Sequence, residues 1–114
     1  MSFQNELPIV QKIYDFYKLF YWQIDHLPKK SREVLTRKIE QLILELLELA
    51  SIAGFSSSKL QYLNRVSIKL DLMKVLVRML YELKTINQPK YIELEKQLQE
   101  IGRMLGGWIK SLKE

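Results

Sequence analysis

The chain has 114 residues, which fits a single domain and is long enough to bury one core without disulfide or metal staples. It contains no cysteine, excluding a disulfide framework, a thiolate nucleophile and a thiolate metal site. A net charge of +5 suits a polyanionic partner, and no uncharged run approaches the ~20 apolar residues that span a bilayer.

The opening residues MSFQNELP show neither the basic flank nor the apolar stretch of a secretory signal, so a soluble, cytoplasmic protein is expected. Proline and glycine then divide residues 1–114, read as one domain, into four segments, and apolar spacing predicts helices over 8–27, 32–53, 59–86 and 89–112. Pro8 fits a first helical turn, where its missing N–H is not needed. The first segment carries Ile9, Ile13, Phe16, Phe20, Ile24 and Leu27 in one row, with Tyr14, Tyr17, Tyr21 and Trp22 beside it. Pro28 ends it and Ser31 is placed to cap the next.

The second segment repeats Leu35, Ile39, Leu42, Leu46 and Leu49, widened by Ile43, Leu47 and Ala50, and is expected to stop at Gly54. The SKLQ run predicts a capping box between Ser58 and Gln61. The third segment has two apolar rows: Leu63, Leu70, Met73, Val77 and Leu80, and a second of Ile68, Leu72, Leu76, Met79 and Leu83. NQP at 87–89 closes it and opens the fourth, where Tyr91, Leu94, Leu98, Ile101, Leu105, Trp108 and Leu112 step by three and four.

No segment alternates with period two, so strands are not expected. Breaks of a few residues favour antiparallel neighbours, and the economical arrangement is an all-α, up-down-up-down four-helix bundle. The second row of the third segment and the aromatic surface of the first exceed what one bundle seam requires. Either the core stripe is wide or a second subunit covers the excess.

Positive charge is concentrated. KKSREVLTRK holds Lys29, Lys30, Arg32, Arg37 and Lys38 against Glu33 alone. The third segment adds Lys59, Arg65, Lys69, Lys74, Arg78 and Lys84 against Asp71 and Glu82. In the expected topology Lys29, Lys30, Arg32, Arg37 and Lys38 share one bundle end with Lys74, Arg78, Lys84 and Lys90, while Arg65 and Lys69 lie further down the third helix. Such a cluster could neutralise phosphates of RNA or DNA. Lys29, Lys30 and Lys84 equally suit the C-terminal dipoles of their helices, an explanation that fails for Arg32, Arg37 and Lys38 at a helix start. With no zinc finger, helix-turn-helix or ribonucleoprotein motif, recognition would be backbone-led.

Catalytic chemistry is not expected. His26 is the only histidine and sits at a helix end; with no cysteine, the usual zinc geometries fail. Glu45/Glu48 and Glu93/Glu95 lack the Glu-x-x-His of a di-iron bundle, and no phosphate-binding loop or nucleophile elbow is present. No catalytic residue, metal, cofactor or small-molecule substrate is therefore assigned. In EIGRMLGGWIKSL, Gly102 and Gly106 fall beside the Ile101–Leu105–Trp108 seam and Gly107 on its other flank. Each glycine costs about 1 kcal/mol in a helix interior, which points to close helix packing or oligomer contact around Trp108, or else to a kink. Arg103 and the charged flanks exclude a membrane dimer motif.

IGRMLGGWIKSL, with LPKKSREVLTRKI and KLDLMKVLVRMLYEL, resembles the accessory variability determinant (Avd) proteins of diversity-generating retroelements over nearly the whole chain. The four-helix proteins encoded in intervening sequences of bacterial large-subunit ribosomal RNA genes look very similar at helix level and remain the alternative. A third possibility is a scaffold docking an acidic protein. The resemblance to Avd implies an antiparallel bundle assembling as a five-membered barrel with no catalytic centre. It implies a basic surface that binds nucleic acid and a reverse transcriptase, supporting error-prone copying of template RNA into DNA. It points to Arg32, Arg37 and Arg78 as contacts.

Overall fold

Which residues of each helix share a face follows from the three-four spacing, because side chains so spaced stand above one another. The computed structural model describes residues 8–24 and 34–113. Among these, four helices form and no strand does: α1 (Pro8–Ile24), α2 (Leu35–Phe55), α3 (Lys59–Glu82) and α4 (Gln88–Lys113). α1 packs on α2 and α4, α2 on α3, and α3 on α4, giving an elongated body of 45 × 24 × 22 Å.

The expected rows build the core. Ile13, Phe16 and Phe20 of α1, Ile39, Leu42, Ile43 and Leu46 of α2, Leu63, Leu70, Met73 and Leu80 of α3, and Leu94 of α4 are fully enclosed. Leu98, Ile101 and Leu105 extend the α4 row, and Trp108 packs half-buried at its end. Each fully buried large apolar side chain contributes on the order of 1.5–3 kcal/mol, far above the few tenths available from exposed pairs.

The helix ends depart from expectation. α2 runs through Gly54 to Phe55, because a glycine cap needs a left-handed φ and none of the described glycines has one. Instead the Ser56 N–H donates to the Ile52 carbonyl at 3.0 Å, and Lys59 Nζ donates to the Ala53 and Gly54 carbonyls, each at 3.0 Å. The capping box does not form. Ser58, at φ −106° and ψ 52°, makes no side-chain cap, and its own N–H donates to Ser56 Oγ at 2.8 Å. α2 starts at Leu35 after an uncapped Val34. The expected Pro28 stop and Ser31 cap, like His26 and Leu27, lie outside the described residues.

α3 ends at Glu82 rather than 86. Lys84 adopts φ 63°, and the N–H groups of Lys84 and Thr85 bond the carbonyls of Tyr81 (2.9 Å) and Leu80 (2.8 Å). This is a Schellman turn with lysine where glycine usually sits. Beyond it, Ile86 returns to the core and Asn87 Oδ1 accepts the Lys90 N–H at 3.0 Å, capping α4, which opens at Gln88, one residue ahead of the expected start. Tyr81 and Tyr91 stack across the turn, ring centroids 4.7 Å apart and 8° from parallel.

Candidate functional site

The basic residues separate into free and engaged cations. Arg37 and Lys38 stand exposed in the first turns of α2, and among the described residues neither has an acidic partner within salt-bridge distance. Their charges oppose the positive end of the helix dipole, so local folding does not explain them. Arg65 is likewise exposed. Lys29, Lys30 and Arg32 lie outside the described residues.

The others are held. Lys69 Nζ bonds Glu45 Oε2 at 2.6 Å, tying α3 to α2. Arg78 Nε bonds Glu82 Oε2 at 3.2 Å within α3, and the carboxylate raises the guanidinium pKa above its ordinary value. Both partners are solvated, so this pair holds Arg78 only weakly. Lys74 is half-buried against α4, its Nζ 3.5 Å from where a β-carbon on Gly102 would stand. Lys59, bound to the carbonyls ending α2, serves the fold. Sequence spacing does not reveal these partners, because Lys69 and Lys74 meet other helices.

The glycines divide too. A β-carbon on Gly102 would make ordinary contact with Lys74 and with Leu70 Cδ2 at 3.6 Å; around Gly106 and Gly107 nothing lies within 4 Å. Close packing within the chain therefore accounts for none of the three. Gly102 and Gly106 instead line an open groove of about 380 Å³ between α3 and α4, with Ser67, Asp71, Lys74 and Gln99 on its walls. On its rim Arg103 Nε bonds Glu100 Oε2 at 3.0 Å and holds that carboxyl below the usual carboxylate range.

Two outward faces are apolar. On α3, Ile68 (70% exposed), Leu72, Val75 (55%) and Met79 follow one another on the side opposite the buried row, and Leu83 continues the line. Leu76, grouped with them by spacing, packs against the core instead. On α1 the outward residues are aromatic: Tyr14, Tyr21 and Trp22, the last 64% exposed, around Lys18.

Among the described residues no three or more histidine or acidic side chains converge as metal ligands, and no helix is long and apolar enough to cross a membrane. Fold and surface together define an all-α four-helix protein that, among the described residues, presents exposed cations and exposed apolar faces. A family model described as bAvd-like matches residues 7–112, and the chain belongs to the bAvd-like family. No curated protein matches its sequence.

Proposed function

We propose that this protein is a non-enzymatic, cytoplasmic accessory factor of a diversity-generating retroelement. Copies associate into a ring, five-membered by the family resemblance, and their basic surface holds RNA or DNA for a partner reverse transcriptase during mutagenic DNA synthesis. Family membership supports the role. The observation that carries the nucleic-acid part is the pair Arg37 and Lys38, unpaired among the described residues on a helix end that their charge destabilises.

An up-down-up-down topology would gather these cations with others. Supporting it, Lys59 meets Ala53 and Gly54 while Lys69 meets Glu45, so α3 numbering rises as α2 numbering falls. Continued at 1.5 Å per residue on both helices, that register brings Arg37 level with Arg78. The uncovered aliphatic line on α3 supports self-association.

Retention of RNA by the purified protein across a salt series, with co-purification of the reverse transcriptase encoded beside it, tests the proposal. Wild type is expected to bind RNA in a salt-dependent way and to retain the polymerase. The charge reversal Arg37→Glu/Lys38→Glu/Arg78→Glu is expected to lose the RNA. Unaltered binding of both partners by that variant would defeat it.

A further inference from the structure

Building on the nucleic-acid role proposed above, we infer that the outward face of α1 is a stacking platform for the unpaired bases of a single-stranded nucleic acid. The two uncovered apolar faces differ in chemistry. The α3 line is aliphatic, with Ile68, Leu72, Val75 and Met79, and offers the dispersive, featureless surface that another helix packs on. The α1 face carries rings instead of aliphatic side chains: Tyr14 at 48%, Tyr21 at 53% and Trp22 at 64% are its exposed large residues. Every base has a π-face, so successive rings beside cations bind single strands with little regard to sequence.

Ring geometry separates this face from the structural aromatics. Phe16 and Phe20 are fully enclosed in the core, and Tyr81 and Tyr91, 4.7 Å apart and 8° from parallel, cover one face of each other. On the surface of α1, Tyr17 and Tyr21 are tilted by 53° and Tyr21 and Trp22 meet edge-on at 86°, with centroids 6.4 Å apart in both pairs. These rings do not stack face to face on one another, and with Tyr21 53% and Trp22 64% exposed, ring surface of both is open to a base.

Charge selects the occupant. Lys18 Nζ lies 4.8 Å from the centre of the Tyr14 ring and 3.8 Å from Asp15 Oδ1, with both charged side chains about half exposed. So long and solvated an ion pair exchanges readily for a phosphate. The neighbouring α2, against which α1 packs, opens with Arg37 and Lys38. A polyanion with exposed rings matches this combination. A duplex, whose bases are already stacked on each other, matches only the charge.

The chain has two tryptophans, so Trp108→Phe leaves Trp22 as a single fluorescent reporter on the face. In that background, unpaired oligoadenylate and an adenine–uracil duplex of equal length, about 20 nucleotides, are titrated at fixed salt. Oligoadenylate is expected to quench Trp22, and the duplex to bind with little quenching. Tyr21→Leu and Trp22→Leu, which keep the face apolar, are expected to weaken oligoadenylate about tenfold each and the duplex hardly at all, read by the fluorescence anisotropy of labelled RNA because the Trp22 variants carry no tryptophan. Tyr21→Phe and Trp22→Phe, which keep a ring, are expected to retain most of the affinity. The stacking assignment fails if oligoadenylate binds without quenching, if the leucine variants bind it as wild type does, or if they weaken both RNAs equally. A changed sedimentation coefficient in the leucine variants would give the face to a second copy and also overturn it. Binding of neither RNA by wild type would instead remove the nucleic-acid role itself.

Discussion

Lys69 and Glu45 face each other across the α2–α3 contact with 2.6 Å between Nζ and Oε2, each about one-third exposed. A cation that spacing alone groups with the phosphate-binding candidates is thereby drawn into helix–helix packing. To contact a phosphate it would have to leave its carboxylate, and the pair is worth at most about 1 kcal/mol in so wet a setting.

Lys69→Met is accordingly expected to lower stability by less than about 1 kcal/mol in urea unfolding. It should leave the salt dependence of RNA binding unchanged. A reduced salt slope would return Lys69 to the nucleic-acid surface.

Arg37→Ala/Lys38→Ala separates binding from folding by sign. Each lost phosphate contact lowers the slope of log affinity against log salt by about 0.7 on a single strand, so the double variant should lose about 1.4. Removing two cations from a helix N-terminus relieves an unfavourable dipole interaction of about 0.3–1 kcal/mol each. The unfolding midpoint should therefore hold or rise while RNA affinity falls. A fall in both would mean that these residues support the fold.

The helices and their buried rows were legible because three-four periodicity is a property of one segment at a time: Ile13–Phe16–Phe20 and Leu94–Leu98–Ile101–Leu105 are buried as spaced. What escaped the sequence depends on two segments meeting. Lys59 occupies the end of α2, where a glycine cap is expected, because it reaches carbonyls five and six residues back after the chain has turned. Ser58 looks like a cap by composition, yet Ser56 captures its N–H first. On α3 the two rows were readable, but which of them faces the core is decided by α2 and α4. The candidate cations were legible as a set; their division into free (Arg37, Lys38) and engaged (Lys69) was not, because ion pairing depends on helix rotation.

Lys84 holds φ 63° in the turn that ends α3. A non-glycine residue there carries a penalty of roughly 1–2 kcal/mol, partly offset by the greater freedom glycine gives the unfolded chain. Lys84→Gly should raise stability by up to about 1 kcal/mol, seen as a higher thermal midpoint. Destabilisation would show that the lysine side chain holds the turn by contacts of its own.

Gly106 and Gly107 give a test in which chain stability and assembly move apart. With nothing within 4 Å of either added β-carbon, Gly106→Ala and Gly107→Ala should each stabilise α4 by about 1 kcal/mol. If a helix from another copy approaches that surface closely, the same methyl groups must weaken association. The expected result is a higher unfolding midpoint at low protein concentration with a smaller assembled fraction in sedimentation. Stabilisation with unchanged assembly would leave the glycines without a packing role.

The aliphatic line on α3 bears most directly on self-association. Ile68 and Val75 are 70% and 55% exposed on the side of α3 turned away from the core, so charged replacements there cost the single chain no more than about 0.5 kcal/mol. Buried between copies, each side chain would contribute about 1.5–3 kcal/mol, and losing both weakens association at least a hundredfold. Ile68→Lys/Val75→Lys should therefore keep its helix content and sediment as a single chain where wild type sediments as an assembly. Ile92→Lys, at an exposed aliphatic of α4 away from this line, is the matched control and should assemble normally. A wild type that sediments as a single chain would remove the ring, and an assembled double variant would move the contact off α3.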